Sequence, residues 1–276
     1  MDIDYQFKPV ETSTPRVLSP EQISDYNTDG HLMPFDIYSD AEVERNRAYF
    51  DYLLAELRVQ LPEGDGAYAI NGYHTRCEGI YEVVTHPAIL DLVEDIVGPN
   101  VLAWASHFFC KMPNDPKAVH WHQDASYWSL TPARTVTVWL AIDDADVENA
   151  CMHFLAGTHN QGRLRFKAPD TPGVLDQEII DIEQYGAPVA DALKAGQISL
   201  HADMLAHGSG PNTSDRRRCG LTIRYCSPEV VPVIPRWGNN AIACRGNCDV
   251  PHWQFPPAPR GNDMSTGKRP ERIGGN

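Results

Sequence analysis

Five short runs rich in β-branched and aromatic residues, 101–112, 135–142, 151–155, 197–200 and 219–226, are separated by Pro, Gly, Asn and Asp. Runs of this length between turn formers read as strands, and 135–139 (Thr-Val-Thr-Val-Trp) alternates as a half-buried strand should. Upstream the pattern is helical. Ser19-Pro20-Glu21-Gln22 carries a start signature, with Ser as N-cap, Pro at the first helical position and an acid in the first turn. A second helix is predicted over about 39–61, opening at Ser39-Asp40-Ala41-Glu42, with apolar positions at Tyr49, Leu53, Leu54 and Leu57. A third spans 87–97 and is stopped by Gly98-Pro99. Helices first and short strands later predict a mainly β fold with flanking helices, a double-sheet barrel or jelly roll with the helices packed outside.

The chain of 276 residues is long enough for one well-buried core. We read 1–276 as a single domain, mostly helical over 19–100, a β core over 101–235, and a Pro/Gly-rich extension over 236–276 ending in a mobile tail from Gly261. Lys and Arg number 23 against 37 Asp and Glu, a net charge of −14. Such a balance argues against nucleic acid or an anionic membrane as partner, because both reward clustered positive charge. It also weakens the case for a polyanionic substrate such as a CoA thioester. Residues 1–16 lack the apolar segment of a secretory signal, and no stretch approaches 18 uninterrupted apolar residues. Seven scattered cysteines do not form a disulfide framework, and the close pair Cys244/Cys248 has no second Cys/His pair at zinc spacing. A cytoplasmic protein with reduced thiols is the expectation.

Against that background one constellation carries chemistry. In His122-Gln123-Asp124 a single residue separates imidazole from carboxylate, so on an extended backbone both leave the same face. The preceding turn, Pro113-Asn-Asp-Pro116, puts them at a strand mouth. His207, 85 residues on (207 − 122), opens His207-Gly208-Ser209-Gly210, and Arg216-Arg217-Arg218 leads into the strand 219–226. Two histidines and a carboxylate with open positions suit a non-haem Fe(II) centre, whereas thiolates would favour zinc or clusters. Each piece has a plainer reading: exposed loop residues for 122–124, a turn for His207, a solvated bend for the arginines. His120 offers a second imidazole on the His122 face. An arginine turned into a barrel needs a carboxylate, and a dicarboxylate co-substrate would supply one with bidentate geometry.

Together with Thr137-Val138-Trp139-Leu140-Ala141-Ile142-Asp143-Asp144, Glu148-Asn149-Ala150-Cys151-Met152 and Ala156-Gly157-Thr158-His159, these residues resemble the phytanoyl-CoA dioxygenase superfamily. The resemblance runs over about 19–228 and implies a double-stranded β-helix core of jelly-roll or cupin type. It also implies an Fe(II)- and 2-oxoglutarate-dependent oxygenase that consumes O2. On the family pattern His122, Asp124 and His207 hold iron. Arg218, eleven positions after His207 (218 − 207), takes the far carboxylate of 2-oxoglutarate, with Ser209, Gln123 and Trp139 lining the same pocket and His107 as a further contact. Trp128 and Tyr127 match positions that face the primary substrate, core packing being the alternative for both. Relatives that halogenate replace the carboxylate by a small residue, so Asp124 favours hydroxylation. A small metabolite of secondary-metabolite or amino-acid type is the expected substrate, with succinate and CO2 as co-products. Epimerisation, desaturation or cyclisation would use the same centre. A same-fold metal enzyme without 2-oxoglutarate, or a binding protein without catalysis, are the rivals.

Overall fold

A computed structural model describes residues 2–12, 14–60, 70–171 and 173–265. The last residue of the second predicted helix, Leu61, and positions 266–276 of the expected tail lie outside these. Four helices are used below: α1 (Pro20–Asp29), α2 (Asp40–Arg58), α3 (Glu78–Val84) and α4 (Pro87–Val97). Ten strands form the two main sheets: β1 (His31–Asp36), β2 (Val101–Lys111), β3 (Val119–His122), β4 (Val136–Ala141), β5 (Met152–Phe154), β6 (Val189–Asp191), β7 (Gln197–Ala202), β8 (His207–Ser209), β9 (Arg218–Cys226) and β10 (Ile242–Arg245).

The larger sheet has six strands in the order β1-β7-β4-β9-β2-β10, and the smaller has four in the order β3-β8-β5-β6. Pairing within both is antiparallel. Side chains from the two sheets meet between them: the rings of Phe154 (β5) and His201 (β7) lie 5.3 Å apart. This is the expected double-stranded β-helix with helices outside.

Side-chain alternation explains the layering. On β9, Cys219, Leu221, Ile223 and Tyr225 belong to the core shared with the helices, as do Val136, Val138 and Leu140 on β4 and Ile198 and Leu200 on β7. Phe50, Leu53 and Leu57 of α2 and Ile89 and Val93 of α4 cover them, all at most 1% exposed. Each side chain fully buried there contributes roughly 1.5–3 kcal/mol. The opposite residues of the same strands face the space between the sheets.

Helix signals proved reliable where caps accompanied them. Ser19 accepts from the Gln22 backbone while Gln22 reaches back to Ser19, and α4 spans the predicted 87–97. Three elements escape a periodicity reading because they are short: α3 with 7 residues, β3 with 4 and β8 with 3. β1 lies inside the stretch expected to be helical. It is an edge strand with an irregularity between Leu32 and Phe35, a place where Pro34, lacking an N–H, is tolerated. The extension also differs from expectation. β10 pairs with β2, the Trp253 indole N–H donates to Val230 O, and Met264 is buried beside Cys77. Residues 261–265 are thus held by a few anchoring side chains that composition does not single out.

Candidate active site

Short elements bring the metal-type residues together. His122 ends β3, Asp124 opens the 3-10 turn Asp124–Ser126, and His207 opens β8 directly opposite His122. One ligand atom from each lies within 4.8 Å of the others, and all three residues are buried. Backbone carbonyls fix both tautomers. The His122 Nδ1–H donates to His120 O at 2.8 Å and the His207 Nδ1–H to Leu205 O at 2.9 Å. A carbonyl can only accept, so the hydrogen of each neutral ring sits on Nδ1 and Nε2 is the ligand atom on offer. Asp124 accepts from the Thr137 hydroxyl at 3.0 Å.

Burial works against a charge on Asp124, but Arg224 and the neighbouring imidazoles outweigh it and hold the carboxyl well below its usual range. Burial, with His122 and His201 alongside, holds His207 well below the usual imidazole range. A carboxylate and an acceptor-ready imidazole are therefore in place at neutral pH, as a divalent cation requires.

The cationic end of the cavity is built on β9, where Arg218 is 2% exposed. Its Nε donates to Ala150 O and its Nη2 to the Ser209 hydroxyl, both at 3.0 Å, and its guanidinium lies 5.6 Å from the Trp139 ring. Ser209 lies two residues beyond His207, about 6.6 Å along the strand, a spacing compatible with one small dicarboxylate reaching from metal to Arg218. Alternation places Arg218, Thr222 and Arg224 on the cavity wall. Gly220, between them, is required: a Cβ there would lie 2.1 Å from the Trp139 ring. Gly208 similarly admits β3, whose Val119 O would be 3.0 Å from an added Cβ. Arg216 and Arg217 turn away, the first to Asp146 and Glu148, the second to Asp143 and Asp51.

Several other expected contacts are placed differently. Gln123 points away from the cavity, because alternation that puts His122 and Asp124 on one side puts the residue between them on the other. Its amide donates to Gly162 O and Met204 O and accepts from Leu164 N, a structural role in place of the expected pocket contact. The His120 ring approaches Thr171 O and Glu178, so only its backbone carbonyl serves the centre. His107 is on the same β2 face as Phe109 and Lys111, its ring 4.2 Å from that of Phe109. Trp128 packs edge-on against Trp104 at 4.6 Å and carries Arg224 over its face at 5.1 Å. The Tyr127 ring is 5.8 Å from His122, and its hydroxyl accepts from Gln177 N.

Four polar residues of the site were not singled out from sequence: Lys111, Thr137, His201 and Arg224. Lys111 faces Arg218 in register, and its ammonium donates to Ser209 O and Gly210 O. Burial, reinforced by Arg218, pushes that lysine down to about 7. His201 Nε2 lies 3.8 Å from Asp124, and neither ring nitrogen has a hydrogen-bond partner. The available signal was the inward face of otherwise apolar strands, where polar residues stand out. The pair Cys244/Cys248 donates to backbone carbonyls, and all seven cysteines are free thiols. A separate cavity of about 210 Å³, lined by Phe7, Tyr26, Thr135 and Asp203 among others, lies outside the barrel. Among the described residues His122, Asp124 and His207 are the only cluster suited to a metal. Among them, too, no helix is long and apolar enough to cross a membrane.

Comparison with known proteins agrees with this geometry. The model of the phytanoyl-CoA dioxygenase (PhyH) family matches residues 26–220. The peroxisomal phytanoyl-CoA dioxygenase of Bos taurus is 26% identical over 232 residues, covering 76% of this chain and 68% of that protein. The L-proline trans-4-hydroxylase of Streptomyces griseoviridis is 25% identical over 239 residues, covering 76% of this chain and 87% of its own. Among solved structures, the non-heme monooxygenase ThoJ superposes with a TM-score of 0.74 at 29% identity, covering 87% of this chain and 88% of its own. The chain therefore belongs to the phytanoyl-CoA dioxygenase family, and with it to the Fe(II)- and 2-oxoglutarate-dependent oxygenases.

Proposed function

We propose that the protein hydroxylates a C–H bond of a small metabolite, using Fe(II), 2-oxoglutarate and O2. The single observation that carries this is the convergence of His122, Asp124 and His207 within 4.8 Å, in the same cavity that Arg218 and Ser209 line. His122 and His207 would offer Nε2 and Asp124 a carboxylate oxygen to the iron, with Thr137 orienting that carboxylate. Arg218 and Ser209 would hold the far carboxylate of 2-oxoglutarate, with Lys111 adding a second cation and Trp139 packing over the guanidinium. When bound, the iron and 2-oxoglutarate supply O2 activation: one oxygen atom goes to the substrate C–H, the other to succinate, and CO2 leaves. The protein contributes orientation and an apolar lining through Phe109, Val119, Trp139 and Met152.

A small substrate is favoured over an acyl-CoA. The cavity lies between the two sheets, and the chain is acidic, with 23 Lys and Arg against 37 Asp and Glu. Asp124 supports oxygen transfer over halogenation, since it occupies the metal position a halide would need. The test is succinate formation from 2-oxoglutarate under air by the Fe(II)-loaded protein. Turnover is expected in the parent and not in Asp124→Ala or Arg218→Ala. Absence of 2-oxoglutarate binding by the metal-loaded parent would refute the reading.

A further inference from the structure

Arg224 is not accounted for by the chemistry above. It lies on the cavity wall of β9, six residues from Arg218, its side chain 11% exposed. Among the described residues its guanidinium makes no hydrogen bond, and its Nε is buried without a partner. Such donors are costly to leave unmade in a folded interior. The nearest anion, Asp124, is 3.6 Å away, beyond hydrogen-bond length, and its charge would be shared with the iron. The guanidinium lies over the Trp128 ring, 5.1 Å from its centroid, a cation–π contact that uses none of its N–H donors.

Charge balance points the same way. The cavity wall itself carries Arg218 and Arg224 against Asp124, two cations to one anion. Fe(II) and the 2-oxoglutarate dianion cancel one another. One buried positive charge is left over, and a buried charge calls for a partner.

We infer that the primary substrate carries a carboxylate, docked on Arg224 beside the metal at the end of the cavity remote from Arg218. This rests on the oxygenase reading and narrows its substrate class to small carboxylic acids. Arg224 binds that carboxylate and so aims the C–H of its substrate; it is a specificity-determining residue, distinct from the co-substrate anchor.

The probe is 13C-formate, the smallest carboxylate, added to anaerobic protein loaded with Mn(II) and saturating 2-oxoglutarate. Paramagnetic relaxation of the 13C nucleus reports carboxylate bound beside the metal. In the parent a saturable enhancement is expected, unchanged when 2-oxoglutarate is doubled. It should weaken at least tenfold in Arg224→Leu and Arg224→Gln and stay within a few-fold in Arg224→Lys, all with Mn(II) bound. Absence of a saturable component in the parent, or its persistence in both neutral variants, overturns the inference. A parent that binds no Mn(II) or 2-oxoglutarate, read separately by calorimetry, would instead refute the oxygenase reading on which it rests.

Discussion

The two faces of β9 differ in almost every respect although they belong to one nine-residue strand. Toward the helices, Cys219, Leu221, Ile223 and Tyr225 are at most 1% exposed and packed in the main core, the Tyr225 hydroxyl donating to Val84 O. Toward the smaller sheet, Arg218, Thr222 and Arg224 line a cavity in which cations outnumber anions. One face packs apolar groups against the helices; the other presents polar and charged groups to the cavity. Stability and chemistry are thereby assigned to alternate residues of the same segment, and substitutions can separate them.

The largest effects test the ligand-facing side. Asp124→Ala and His207→Ala should each lose tight metal binding and bring succinate formation to background while the fold, by circular dichroism, is kept. Retention of full metal affinity in either would mean that the cluster is not the metal centre. On the other face, Leu221→Ala should cost about 2–5 kcal/mol in urea unfolding, yet leave succinate formation per folded molecule within a few-fold of the parent. A large loss of turnover there would show that the two faces are not separable.

Arg218→Ala should weaken 2-oxoglutarate by roughly 100-fold, about 3 kcal/mol, with metal affinity kept, as calorimetry can measure. A smaller effect arises from Asp191, whose carboxyl burial raises to about 7, with the Ser199 hydroxyl donating to one oxygen and the other left unpartnered. A carboxyl raised from its unfolded value near 3.8 favours the folded state below that pH, and this contribution is lost as pH rises through about 7. Asp191→Asn should therefore gain stability relative to the parent between pH 5 and pH 8, on the order of 2 kcal/mol by urea titration. An equal difference at both pH values would place the Asp191 titration outside that window.

How far these faces were readable in advance depends on the signal each residue gives. Helix caps at Ser19 and Ser39 and the β runs were legible because caps and alternation are local properties. His122, Asp124, His207 and Arg218 were legible because their spacing matched a family pattern. Gln123 was misassigned although the period-2 rule that pairs its neighbours also turns it away. His201 and Arg224 were overlooked because each looks like an isolated polar residue in an apolar strand, and their relation to Asp124 exists only across strands. Lys111 gave no signal of its own, because its pairing with Arg218 is set by strand register.

Sequence alone determined the helix-then-strand order, the alternating faces, and the residue types from which a non-haem iron centre could be made. All of that follows from short-range periodicity and side-chain chemistry. Tertiary structure decided which polar residues converge: strand register set His207 opposite His122, Lys111 opposite Arg218 and Thr137 opposite Arg224. Register is a long-range property, chosen by burying one apolar face against the helices, and a slip of one residue would exchange the two faces of every strand.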